Sequence, residues 1–239
     1  MKPVVIVRNE DPDPGGTVLE ELERDGLAVR MVDAHRGEPL PDPHDVSGVV
    51  VFGGVQHADQ TDRYPFLGAE QDLLRRAADG GVPVLGICLG GQVLALAMGA
   101  RLRPSPVMEF GYTPITPTPE GERDPVMSVF EAGDRVFHWH EDTFDLPDGA
   151  TLLLEGEHVR NQAFRYGERA WGVQFHPEVT ADVIEGWLGV AGDTASKWGK
   201  TADDIREEGR RYLADEEKRA REMVRRFSGV VRSASSDPT

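Results

Sequence analysis

The chain has 239 residues, enough for one large domain with a well-covered core. Hydrophobic residues make up 39% and charged residues 28%, which is ordinary globular usage, and no apolar run approaches the roughly 18 residues needed to span a bilayer. A formal net charge of −16 argues against unassisted binding to nucleic acid or an anionic membrane, because phosphate neutralisation needs clustered Lys and Arg, so small molecules or other proteins are the expected partners.

Taken in chain order, short β-branched runs alternate with helical patterns. Val4 to Val7 reads as a strand, Thr17 to Asp25 as a helix, Ala28 to Val32 as a strand, and Gly48 to Phe52 as another. Val49, Val50, Val51 and Phe52 are all apolar, as expected of a central strand buried on both faces. Leu67, Leu74 and Ala77 recur at helical spacing between residues 66 and 80, and Gly80-Gly81 with Pro83 stops that helix before a strand over Val82 to Ile87. This alternation predicts βαβ units and a parallel sheet.

A helix is expected just after Cys88, carrying Val93, Leu94, Leu96 and Ala97. From Arg101 to Arg169 prolines 104, 106, 114, 117 and 119 punctuate short extended pieces, and Arg135 to Trp139, Thr151 to Leu154 and Gln162 to Tyr166 read as strands. This stretch is expected to be mostly β and partly antiparallel. Thr201 to Arg226 reads as a charged helix packed by Ile205, Tyr212, Leu213, Met223 and Val224, with a partner-binding helix as the alternative. Ser233 to Thr239 has the composition of a disordered tail. The expected organisation is a domain over residues 1–190, a helical extension packed on it over 191–228, and a disordered tail over 229–239.

The N-terminal apolar stretch is too short for a signal peptide, and Arg8-Asn9-Glu10-Asp11 follows where a cleavage site should be. A single cysteine suits a reducing compartment, so a cytoplasmic location is expected.

That cysteine lies where chemistry could use it. Val84-Leu85-Gly86-Ile87-Cys88-Leu89-Gly90-Gly91-Gln92 runs from an apolar strand directly into a helix, with glycines two residues to either side of Cys88. This is the pattern of a nucleophile on a sharp strand-to-helix turn at the carboxyl end of a sheet. The helix N-terminus favours thiolate over thiol. Gly172-Val173-Gln174-Phe175-His176-Pro177-Glu178 supplies a base and a carboxylate to orient it. Backbone N–H groups in Gly53-Gly54-Val55, with that of Leu89, could converge on a developing oxyanion, and the close approach favours Gly54.

Each signal alone has an ordinary explanation: a buried structural cysteine, a strand-end turn, a capped turn with a satisfied histidine. Their joint occurrence, in the order oxyanion loop, nucleophile, base, favours a Cys88, His176 and Glu178 triad.

Gly86-Ile87-Cys88-Leu89-Gly90-Gly91-Gln92 and Gln174-Phe175-His176-Pro177-Glu178 resemble the two signature motifs of class I glutamine amidotransferases, and the likeness extends over roughly residues 45 to 180, towards stand-alone members similar to the glutaminase domain of GMP synthase. The resemblance implies an α/β fold with an open, mostly parallel, flavodoxin-like sheet flanked by helices, here with a partly antiparallel β extension and the helical tail. It implies hydrolysis of the glutamine side-chain amide through a γ-glutamyl thioester, with no cofactor, feeding a synthetase on another chain. It further implies that Gln92 contacts the bound glutamine and that Trp139 and His140 help hold it, with Gly53 counted among the substrate contacts.

The family loop commonly reads Gly-Gly-Pro, whereas this one reads Gly53-Gly54-Val55-Gln56-His57, which predicts an oxyanion loop that is mobile until ordered by substrate or partner. Glu109-Phe110-Gly111-Tyr112 also resembles the family, its glutamate serving there or simply stabilising a local turn. His138 and His140 share a strand face and could bind metal, but no other ligand set is evident, so no metal is expected. The alternatives to an ammonia donor are a γ-glutamyl amide or peptide hydrolase without transfer, and a silent glutamine-binding regulatory module.

Overall fold

The computed structural model describes residues 2–191 and 197–236. The strands are β1 (Val4–Arg8), β2 (Val29–Asp33), β3 (Gly48–Val51), β4 (Val84–Ile87), β5 (Leu102–Pro117), β6 (Arg135–Phe144), β7 (Thr151–Gly156), β8 (Asn161–Tyr166) and β9 (Ala170–Val173). The helices are α1 (Gly16–Arg24), α2 (Pro65–Asp79), α3 (Leu89–Ala97), α4 (Ala181–Ala191) and α5 (Ala202–Ser236).

Among the described residues the strands form one nine-stranded sheet in the order β2-β1-β3-β4-β9-β8-β7-β5-β6. Pairing is parallel from β2 through β9, and antiparallel from β9 through β6.

The inner parallel strands are nearly all apolar, and they are buried on both faces accordingly. In β1, Val4 and Ile6 face a core with Val18 and Leu22 of α1 and Phe227 and Val231 of α5. Val5 and Val7 face the other core, with Leu67 and Leu74 of α2 and Val93 and Leu94 of α3. A third cluster joins Phe110, Tyr112 and Phe137 of β5 and β6 to Val183, Ile184 and Leu188 of α4 and Ile205 of α5.

Three differences from the sequence reading have physical causes. The proline-rich stretch forms one strand, β5, because its ladder is interrupted between Pro104 and Glu109, where Pro106 lies, and the chain changes partner from β6 to β7 further on. Helix α4 was not anticipated, and its Val183, Ile184 and Leu188 recur at i, i+1 and i+5 on a buried side. Helix α5 continues to Ser236 where disorder was expected from residue 229, since Val224, Phe227 and Val231 extend one buried stripe and Ser233, Ser235 and Ser236 bond their hydroxyls back to the preceding turn. Residues 237–239 of that expected tail, and 192–196 of the expected extension, lie outside the described residues. No helix among the described residues is long and apolar enough to cross a membrane.

Candidate active site

β4 delivers Cys88 to the carboxyl edge of the parallel strands, the end at which open α/β sheets build their sites. Cys88 has φ 50° and ψ −108°, and among the described residues it is the one non-glycine residue with positive φ. Such a conformation costs on the order of 1–3 kcal/mol and persists only where the surroundings enforce it. The enforcement is visible on both sides: the Cys88 amide donates to Val173 O at 2.8 Å, and the Cys88 carbonyl accepts from Gln92 N at 3.0 Å as α3 begins. The flanking glycines are needed for space, since a Cβ on Gly86 would lie 2.4 Å from Gly90 O and one on Gly90 would lie 2.1 Å from Val51 O. The turn is therefore sharp because backbone packs directly on backbone.

The Cys88 Sγ lies 3.9 Å from Trp139 O and 3.7 Å from Gln174 Nε2. His176 follows β9 and is fixed at the backbone by its amide, which donates to Phe137 O at 2.9 Å. Its Nδ1 meets Glu178 Oε1 at 2.7 Å, which sets Nδ1 as the protonated nitrogen facing the carboxylate. Nε2 is buried with no hydrogen-bond partner of good geometry among the described residues. Burial opposes a charge on this imidazole, but the Glu178 carboxylate and the nearby Cys88 outweigh it, and the His176 pKa is raised well above its ordinary value. Glu178 is itself held from α1, since its carbonyl accepts from Thr17 N at 3.0 Å.

Gly53 and Gly54 follow β3, and Asn9 at the end of β1 steadies them by donating from Nδ2 to Phe52 O at 3.1 Å. Gln56 Nε2 donates to Asn9 O at 3.2 Å and His57 pairs with Asp142, so the loop expected to be mobile is tied at two points. Gly54 abuts Leu89, a Cβ there falling 2.8 Å from Leu89 Cδ2. The first-turn N–H groups of α3, that of Leu89 among them, have no acceptor within their own helix.

Gln92 is buried and donates to Asp142 O at 3.1 Å and to Gln174 Oε1 at 3.3 Å. Trp139 presents its carbonyl to the thiol, while its ring packs on Phe110, Trp187 and Trp198. His140 points elsewhere: its Nε2 meets Glu109 Oε2 at 2.9 Å and its Nδ1 meets Asp142 O at 3.0 Å. The fold thus gathers Gly53, Cys88, His176, Glu178 and the Trp139 carbonyl, and commits the His140 imidazole to Glu109.

Glu109 also accepts from Gln162 Nε2 at 2.9 Å and lies 3.8 Å from His138 Nδ1, so it ties β5 to β6 and β8 rather than stabilising a local turn. It supplies the further ligand that was not evident in the sequence, since Glu109, His138 and His140 each offer an atom within 4.8 Å of the others. Burial drives the His138 pKa down to about 3, so its imidazole is neutral.

Several neighbours of the site escaped the sequence reading. Glu10 and Asp13, in the loop after β1, lie within electrostatic reach of His176, and burial followed by the Glu178 charge pushes Asp13 up to about 7. The Trp187 ring centroid is 5.0 Å from that of His176. The position of Asn9 at a strand's carboxyl end was a usable signal; for Trp187 on an unanticipated helix there was none.

With this geometry in hand, comparison with known proteins defines the class. The model of the family "Glutamine amidotransferase class-I" matches residues 17–185. The chain is 37% identical over 189 residues to the glutamine amidotransferase-like protein YfeJ of Salmonella typhimurium, covering 77% of this chain and 79% of that one. It is 34% identical to a glutamine-hydrolysing GMP synthase subunit of Natronomonas pharaonis, over 64% of this chain and 76% of that one. Against the GMP synthase of Porphyromonas gingivalis it is 41% identical but spans only 26% of that protein's length. The crystal structure of a glutamine amidotransferase from Thermotoga maritima superposes with a TM-score of 0.86 at 30% identity, covering 95% of this chain and 98% of that one. The chain belongs to the class I glutamine amidotransferases.

Proposed function

We propose that this protein hydrolyses the side-chain amide of glutamine through a γ-glutamyl thioester on Cys88, yielding glutamate and ammonia. The observation that carries the reading is the positive-φ backbone of Cys88 on a turn enforced from both sides, beside an imidazole already held by a carboxylate. A structural cysteine has no need of such strain.

In the first half-reaction Sγ of the thiolate attacks the amide carbon, and the carbonyl electron pair moves onto oxygen. Backbone N–H groups of Gly54 and Leu89 receive that oxyanion. Collapse breaks the C–N bond, the His176 imidazolium gives its proton to the leaving nitrogen, and ammonia departs. In the second half water attacks the thioester carbon and yields a proton to His176, the C–S bond breaks, and glutamate leaves with the thiolate restored. Glu178 keeps Nδ1–H oriented and stabilises the imidazolium throughout. Gly53 and the Trp139 carbonyl lie beside Cys88, Gln92 is linked to the thiol through Gln174, and His140 shapes strand β6 through Glu109.

Ammonia produced in this way requires an acceptor, and a separate synthetase chain in the cytoplasm is the natural recipient. The similarity to the Natronomonas pharaonis protein, whose name makes it one part of a GMP synthase, supports a partnered arrangement. The test is ammonia release from glutamine by the purified chain beside Cys88→Ala and a panel of γ-glutamyl amides. Turnover of glutamine that vanishes in the variant is expected. Preference for a larger γ-glutamyl compound would replace the ammonia-donor reading with a hydrolase one, and silence on every substrate with an unreactive Cys88 would count against an enzyme.

A further inference from the structure

β6 ends the order of strands in the sheet, so among the described residues one of its edges has no strand beside it. At Phe137 that edge is used twice. The Phe137 amide donates to Glu216 Oε1 at 2.7 Å, and the Phe137 carbonyl accepts from the His176 amide at 2.9 Å. One peptide-flanked residue therefore connects a carboxyl on α5 to the backbone of the candidate base. Glu216 is 1% exposed, and burial raises its pKa to about 8 while the Phe137 hydrogen bond opposes that rise. Burying a carboxyl in this way is costly, and the hydrogen bond from Phe137 offsets part of that cost.

We infer that Glu216 is a positioning residue: by holding Phe137 it sets the place of the His176 backbone, and with it the approach of Nε2 to Cys88. This rests on the function proposed above and extends it to a helix that touches neither thiol nor imidazole. The distances argue for it over a general packing role. Glu208, on the same helix, makes a parallel tie to the neighbouring strand, its Oε2 accepting from Tyr112 N at 2.9 Å, but among the described residues no backbone hydrogen bond runs on from Tyr112 to His176, and Tyr112 meets Phe137 through an edge-on ring contact at 5.5 Å. The fold thus contains an internal control: two carboxyl-to-amide ties from one helix, of which one leads to the base.

The experiment uses the full chain with Glu216→Ala, Glu216→Gln and Glu208→Ala, reading kcat and KM for glutamine, the melting temperature, and amide hydrogen exchange at Phe137 and His176. Glu216→Ala should lower kcat about tenfold or more at temperatures where it stays folded, with KM nearly unchanged, because a small misplacement of a reacting group weighs on the barrier. Glu216→Gln, whose side-chain carbonyl accepts the same amide, should recover most of the rate. Glu208→Ala should lower the melting temperature and cost much less in kcat than Glu216→Ala does. A wild-type kcat in folded Glu216→Ala, or equal losses in all three variants, overturns the inference. If the unmodified chain releases no ammonia, the catalytic reading fails by itself, and exchange decides the coupling. Faster exchange at His176 in Glu216→Ala alone upholds it, and unchanged exchange ends it.

Discussion

Gly53 is packed so closely on His176 that a Cβ added to it would lie 3.1 Å from Cε1 and 3.7 Å from the Cβ of Cys88. The space between the Gly53 backbone, thiol and imidazole is therefore filled without a side chain from this residue. Gly53→Ala should displace the imidazole by a few tenths of an ångström. We expect kcat to fall by about tenfold or more, since sub-ångström placement governs proton transfer, with a stability loss of roughly 1–3 kcal/mol from overpacking. Steady-state ammonia release and thermal melting measure the two effects; a variant of normal kcat would mean that the imidazole has room to spare.

Glu178→Gln replaces a charge by an amide at the 2.7 Å contact with Nδ1. The raised pKa of His176 depends on that charge, so an imidazole titration followed by NMR should move down towards the ordinary value near 6.5. The sign for stability follows from the folded pKa lying above the unfolded one. The His176 contribution is full below about 6.5 and is lost as pH rises through the raised value, and the variant should lose part of this contribution at acid and neutral pH. Turnover should drop by about 10² or more, as when the orienting carboxylate of a triad is neutralised.

Cys88→Ala and Cys88→Gly should both abolish turnover, yet they should differ in stability. At φ 50° and ψ −108° alanine keeps the strain of a Cβ and glycine does not. The glycine variant should therefore melt higher than the alanine variant, by about 1 kcal/mol or more in unfolding free energy. Equal melting would show that the turn is relaxed.

Glu70, fully buried on α2, is pushed up to about 8 by burial, with the Asn9 side chain offsetting part of the rise. Its folded form holds a proton that the unfolded form releases near 4.5, so its contribution is complete below 4.5 and stability falls as pH rises from there to about 8. Glu216 and Asp13 add slopes of the same sign. Glu70→Gln keeps a polar side chain near Asn9 without the proton dependence. It should flatten the decline and leave the protein more stable than the wild type at pH 7. Chemical unfolding at pH 5 and pH 8 measures the difference, and parallel curves for the two proteins would refute it.

The parallel half of the fold was legible because its inner strands are nearly all apolar and its helices are bounded by glycine and proline. Cys88, His176 and Glu178 were legible because each sits in a short contiguous motif whose backbone requirements are written beside it. What stayed hidden depends on contacts between distant segments. Nothing near Phe137 announces that Glu216 will bond it, and Glu109 meets His140 only because β5 and β6 pair in one register. The prolines of β5 misled because local chemistry reads them as breaks, whereas a strand that changes partners along its length can absorb them. The end of α5 was missed because a polar, serine-containing sequence conceals Val231 on a buried stripe.

The pairing of β4 with β9 brings Val84 beside Ala170 and Ile87 beside Val173, residues separated by a long stretch of the chain. Contacts of such long range carry a larger loop-closure cost than shorter-range pairings such as β1 with β2. A chain still assembling its sheet therefore carries a thiol with no base beside it. Cys88 acquires His176 only when β9 closes on β4, so the appearance of a reactive cysteine during refolding reports the joining of β9 to β4 rather than collapse of the first half of the chain.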